Sequence, residues 1–136
     1  MLNAYLGLQQ QALDEMGKER QRLRELAQRE ELRAFRLQEV IASLGQGQGF
    51  HPLLLQNRQQ MDAQLRRLHA HQVQQSAMAR LDLDRHELQL RQQFGRVKGL
   101  EGVLDRRALA DRRLRESQEQ RLLDEISGLR HRTRGS

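Results

Sequence analysis

The chain of 136 residues has no cysteine, no tryptophan, one proline, one tyrosine and three phenylalanines. Without thiols it can form neither disulfides nor thiolate metal sites, and it has no cysteine nucleophile. With 3% aromatics and a mean hydropathy of −0.87 it is too polar to enclose a compact core of several layers. No run approaches the roughly 20 apolar residues of a membrane span, and the start MLNAYLGLQQQ lacks the basic region that opens a signal peptide. These absences point to a cytoplasmic protein. A phosphate-binding loop is missing as well: Gly45, Gly47 and Gly49 alternate with glutamine and no Lys-Ser/Thr follows.

What is abundant is helix-forming. The chain holds 25 leucines, 20 glutamines and 22 arginines, a composition that suits long helices and a coiled coil. Three of the ten glycines and the only proline fall in Gly45-Gln-Gly-Gln-Gly-Phe-His-Pro52. Gly45 stands where a helix end accepts a residue with positive φ, and Pro52 where the next helix tolerates a missing N–H, so one helix stops and another starts within this stretch. Phe50 and Leu55 could staple the second start, with His51 as an N-cap. The expectation is an all-α hairpin spanning 1–136, two antiparallel coiled-coil helices at about 2–44 and 53–130, joined by a loop at 45–52 and ending in a basic tail at 131–136.

In the first arm Leu2, Leu6, Leu13, Met16, Leu23, Ala27, Ala34, Leu37, Ile41 and Leu44 fit a heptad seam, interrupted by Gln9, Arg20 and Glu30. The second arm continues it through Leu54, Met61, Leu65 and Leu68. The pattern fades over 71–75 and returns shifted through Leu81, Leu88, Phe94, Val97, Leu100, Leu104, Leu114, Leu122, Ile126 and Leu129, which reads as stutters. Spacing supports ion pairs Asp14–Lys18, Glu25–Arg29, Asp62–Arg66, Glu87–Arg91 and Asp111–Arg115 on the surface. At 1.5 Å per residue the arms reach roughly 66 Å and 117 Å. Residue i falls beside about residue 97 − i, so Met1 lies near Arg96 and the helix beyond has no partner in this chain. Gly95, Gly99 and Gly102 share one face there and mark a weak hinge or a close helix approach, with the hinge favoured.

The net charge of +6 is uneven. Residues 1–44 carry seven basic and seven acidic side chains, whereas 106–136 carry nine against five. The basic end is a plausible guide to an acidic partner. His69 and His71 point to different faces, so they do not form a metal pair, and His51, His86 and His131 read as exposed. No cluster of carboxylates or histidines points to catalysis, and no cofactor is expected.

Three blocks carry a resemblance. They are Asn57-Arg-Gln-Gln-Met61 followed by Leu65, Leu68 and Gln72; Leu100-Glu-Gly-Val-Leu-Asp-Arg106; and Glu119-Gln-Arg-Leu-Leu-Asp-Glu-Ile126. In order and spacing the chain from about 37 to 128 resembles the FliJ family of the bacterial flagellar type III export apparatus, counterpart of the YscO/SctO proteins of virulence systems. Leu68 stands where that family usually has a small residue, and Met61 where it often has Phe.

The resemblance implies a stalk, working in flagellar biogenesis and motility, that assists an ATPase without being one. Met61, Leu65, Leu68 and Gln72 would contact the linker of the export gate protein FlhA. Arg106, Arg107, Arg112, Arg113, Arg115, Gln120, Arg121, Asp124 and Glu125 would enter the ring of the hexameric ATPase FliI. Export chaperones would be further partners, and the protein would sit in the bacterial cytoplasm, peripheral on the inner membrane through its partners. From periodicity alone Met61, Leu65 and Leu68 equally describe a coiled-coil core. Two other readings stand beside the stalk. One is a self-associating scaffold coiled coil. The other is a nucleic-acid-binding basic coiled coil, which the interleaved acids and scarce aromatics disfavour.

Overall fold

The computed structural model describes residues 1–45 and 52–134, with side chains described for 1–45 and 56–133. Helix α1 spans Leu2–Gly45 and helix α2 Pro52–Arg134, 44 and 83 residues long. The all-α expectation and the longer second helix are therefore met. Pro52 is the first residue of α2, where its missing N–H leaves no helical bond unmade. Gly45 is the last residue of α1, and among the described residues no glycine has positive φ. The left-handed cap expected at Gly45 is absent because that residue still belongs to the helix. The expected staple from Phe50 and the cap at His51 lie outside the described residues, as does the side chain of Leu54.

The chain divides into two compact units, Gln11–Gln93 and Met1–Gln10 with Phe94–Ser136. Within the first, α1 and α2 run antiparallel. The Gln72 amide donates to the Glu30 backbone carbonyl at 3.1 Å and to the Glu30 carboxylate, and Arg20 lies 3.5 Å from Glu87. His86 Nε2 sits 2.7 Å from the Met16 carbonyl. A carbonyl only accepts, so Nε2 carries the hydrogen. His86 is thus half-buried and engaged, contrary to its reading as exposed. The core is narrow: Ala27, Ala79 and Leu83 are buried, and Leu23 and Leu26 pack against them. In the second unit Val97 is buried and Gln10 donates to Glu101 at 3.3 Å.

The expected register needs correction. It placed Glu30 beside residue 67 and Met16 beside residue 81, whereas Glu30 meets Gln72 and Met16 meets His86, five positions further along α2 in both cases. Helical side chains lean toward their own N-terminus, so across an antiparallel pair each reaches a partner later in the other helix than backbone level suggests. That lean supplies about one position, and the reach of the Gln and His side chains adds to it. Half-burial consequently extends to Leu104 instead of stopping at Arg96.

All ten apolar seam positions expected in α1 are half-buried or buried. In α2 the seam differs from the expected one. Burial recurs at Arg58, Asp62, Leu65, His69, Gln72, Ser76, Ala79, Leu83, His86, Leu90, Gln93, Val97, Leu100 and Leu104, spaced four and three without a break. The expected stutters are absent. Leucines mislead here because half the seam is polar, and Met61, Leu68, Leu81, Leu88 and Phe94 stand exposed.

Candidate functional site

Two surfaces gather the residues that sequence singles out. The first lies near the start of α2. Met61 and Leu68 are 50% and 54% exposed, one heptad apart on the flank of the seam. Leu65 and Gln72 lie in the seam itself, half-buried, and Gln72 is held by Glu30. The four residues therefore occupy two adjoining faces. An exposed apolar pair is left outside, beside two half-buried seam residues, of which Gln72 binds Glu30 of α1. Asp62, between them, accepts a hydrogen bond from Arg66 at 2.8 Å, and it is the one of the five expected pairs whose geometry is fixed in this way. Glu87 turns across to Arg20 instead of joining Arg91, and Glu25 accepts from Gln21.

The second surface is the end of α2, where every residue from 105 to 133 is exposed. Arg106, Arg107, Arg112, Arg113, Arg115 and Arg121 point around the whole circumference, as their spacing along a 3.6-residue helix requires. The Arg106 guanidinium donates back to the Gly102 carbonyl at 3.3 Å, and Gln120 donates to Asp124 at 3.3 Å. Leu122, Ile126 and Leu129 form an exposed apolar stripe beside Glu125. This stripe passes unnoticed in a sequence reading that assigns leucines to a seam; the signal for it was the lack of any α1 residue left to pair with.

Between these surfaces Gly95, Gly99 and Gly102 are helical, and a Cβ at each would meet nothing within 4 Å. Close approach of a second helix of this chain is thereby ruled out as their reason. Beside them Lys98 lies 5.4 Å over the Phe94 ring and 3.6 Å from Glu101.

The groove lined by Arg20, Arg24, Ala27, Glu31, Arg80, Leu83 and Glu87 holds charges of both signs, and no nucleophile lines it. Among the described residues no group of three or more His, Asp or Glu could hold a metal ion. Glu19 is held below the ordinary carboxylate value by the hydrogen bonds from Arg22, whose own value they raise; both side chains lie at the surface. No helix among the described residues is long and apolar enough to cross a membrane.

The family model described as Flagellar FliJ protein matches residues 2–136. Comparison with curated proteins and with solved structures finds no significant match.

Proposed function

The chain belongs to the FliJ family, a component of the flagellar export apparatus, and from that premise we propose that it is the central stalk of the export ATPase complex, linking a FliI-like hexamer to a FlhA-like gate protein. The observation that carries the reading is the end of α2, exposed at every residue from 105 to 133. The nine arginines against five carboxylates over 106–136 favour an acidic channel. Arginines distributed around the whole circumference of the helix suit a partner that surrounds it. Arg106, Arg107, Arg112, Arg113 and Arg115 supply the attraction, and Gln120, Arg121, Asp124 and Glu125 the matching contacts further along.

Near the start of α2, Met61 and Leu68 make the gate contact, and Leu65 and Gln72 hold the helix in place from the seam. In this reading the chain also receives export chaperones. It associates with the cytoplasmic face of the inner membrane through its partners and assists hydrolysis without performing it.

The test is the ATPase rate of the hexamer with the full chain and with a chain ending at Asp105. Stimulation should be lost with the shorter chain while its circular dichroism melt stays close to that of the parent. It should also weaken as salt rises, because exposed charges are screened beyond about 10 Å at 0.1 M. Equal stimulation by both chains would overturn the assignment.

A further inference from the structure

Between Arg58 and Ala79 the sequence of α2 offers two heptad seams, and the structure uses the more polar one. The seam in use runs through Asp62, Leu65, His69, Gln72 and Ser76, all half-buried, while Met61 and Leu68 stand exposed. Leu65, Gln72 and Ala79 are spaced by seven, so they belong equally to a seam through Met61, Leu68 and Gln75. The two arrangements differ by a turn of α2 of about 50° on its own axis, half of the roughly 100° between successive residues.

The forces on the two arrangements oppose each other. The facing part of α1 is apolar, with Ala34, Leu37 and Ile41 half-buried, so it favours Met61 and Leu68 over Asp62 and His69. Asp62 keeps its ion pair with Arg66 in either case, because both lie on α2. What favours the observed arrangement is continuity with the buried Ala79 and Leu83, whose heptads run straight into it. Gln72 serves both, held to the Glu30 carbonyl.

We propose that residues 56–76 of α2 form a bistable segment that turns between these two seams about the Gln72 anchor, carrying Met61 and Leu68 outward in one state and against α1 in the other. An apolar partner that takes Met61 and Leu68 selects the outward state. The inference does not depend on the stalk reading, since it concerns the free chain alone.

The native sequence has no cysteine, so introduced pairs report the two seams cleanly. Ala34 lies one turn past Glu30, and Leu68 and His69 lie one turn before Gln72. The double variant Ala34→Cys with His69→Cys reports the observed seam, and Ala34→Cys with Leu68→Cys the turned one. Leu37→Cys with Leu65→Cys belongs to both and confirms that the hairpin is folded. In a glutathione redox buffer the first two pairs should close at rates within about tenfold of each other, as for two states of comparable population. Adding Asp62→Leu puts an apolar residue into the observed seam. It should slow closure of the Leu68→Cys pair several-fold and leave the Leu37→Cys/Leu65→Cys pair unchanged. Closure of the His69→Cys pair alone would overturn the proposal. So would an equal response of both reporter pairs to Asp62→Leu, which would indicate general looseness in place of two seams.

Discussion

In α1 the half-buried seam is apolar except at Gln9, Glu19 and Glu30, whereas in α2 Arg58, Asp62, His69, Gln72, Ser76, His86 and Gln93 take half of its positions. The two helices contribute differently as a result. The first supplies most of the apolar area; the second supplies hydrogen bonds that fix register, such as those from Gln72 and His86 to carbonyls of α1. Polar seam positions in coiled coils cost stability and specify alignment. Among the described residues no large side chain is fully buried, so the apolar contribution is modest and alignment carries more of the burden.

That contrast breaks most sharply at Leu83, the largest apolar contribution from α2 to the buried cluster. It is 3% exposed beside Ala27 and Ala79, so Leu83→Ala should cost about 2–4 kcal/mol of stability. On the exposed end Leu114→Ala should change stability by less than about 0.5 kcal/mol. Urea melts followed by circular dichroism compare the two, and similar losses would mean that the end of α2 is packed in solution.

Making the two seams alike should have a smaller effect of opposite sign. Ser76→Leu fills a half-buried position of α2 and should stabilise by about 1 kcal/mol; a lower melting temperature would show that this layer has no room. Gly99→Ala should gain about 0.5–1 kcal/mol through helix propensity alone, since φ is not positive and the new Cβ meets no atom within 4 Å. A loss there, measured by thermal melt, would reveal a contact that the chain alone does not display.

The smallest expected effect lies on the surface of α1. Glu19 has a folded-state pKa lowered by the hydrogen bonds from Arg22. A depressed carboxylate contributes stability above its unfolded value and loses that contribution as pH falls through the folded one. The melting difference between the parent and Glu19→Gln should therefore be present at neutral pH and shrink as pH drops below about 4.5. A difference that stays constant to pH 3 would deny the pair any role.

Much of this was legible beforehand, and the parts that were not share a cause. The two helices and the ten apolar seam positions of α1 follow from leucine spacing, and the break between the helices from Gly45 and Pro52. The seam of α2 did not, because leucine spacing assumes that apolar residues fill the seam. Asp62 and His69 occupy it while Met61 and Leu68 lie outside. The same assumption placed Leu114, Leu122, Ile126 and Leu129 in a seam, although no part of α1 reaches them and all four are exposed. Of the candidate gate residues, the place on a helix was readable and the orientation was not. Orientation depends on which side of Leu65 faces α1, and the residues alone allow either.

The exposed end of α2 also determines how fast its amides meet solvent. A helix that continues from a packed segment has no nucleation cost, so each further turn forms by propagation alone, with an equilibrium constant per residue near one. Such an extension frays from its free end inward. Backbone N–H groups should therefore exchange with deuterium in a gradient along α2, fastest at Thr133 and slowing toward Leu104, with the slowest exchange around Ala79 and Leu83. Whatever grips this segment must supply the protection that its own packing lacks, and the residues at which exchange slows on binding would trace the grip one turn at a time.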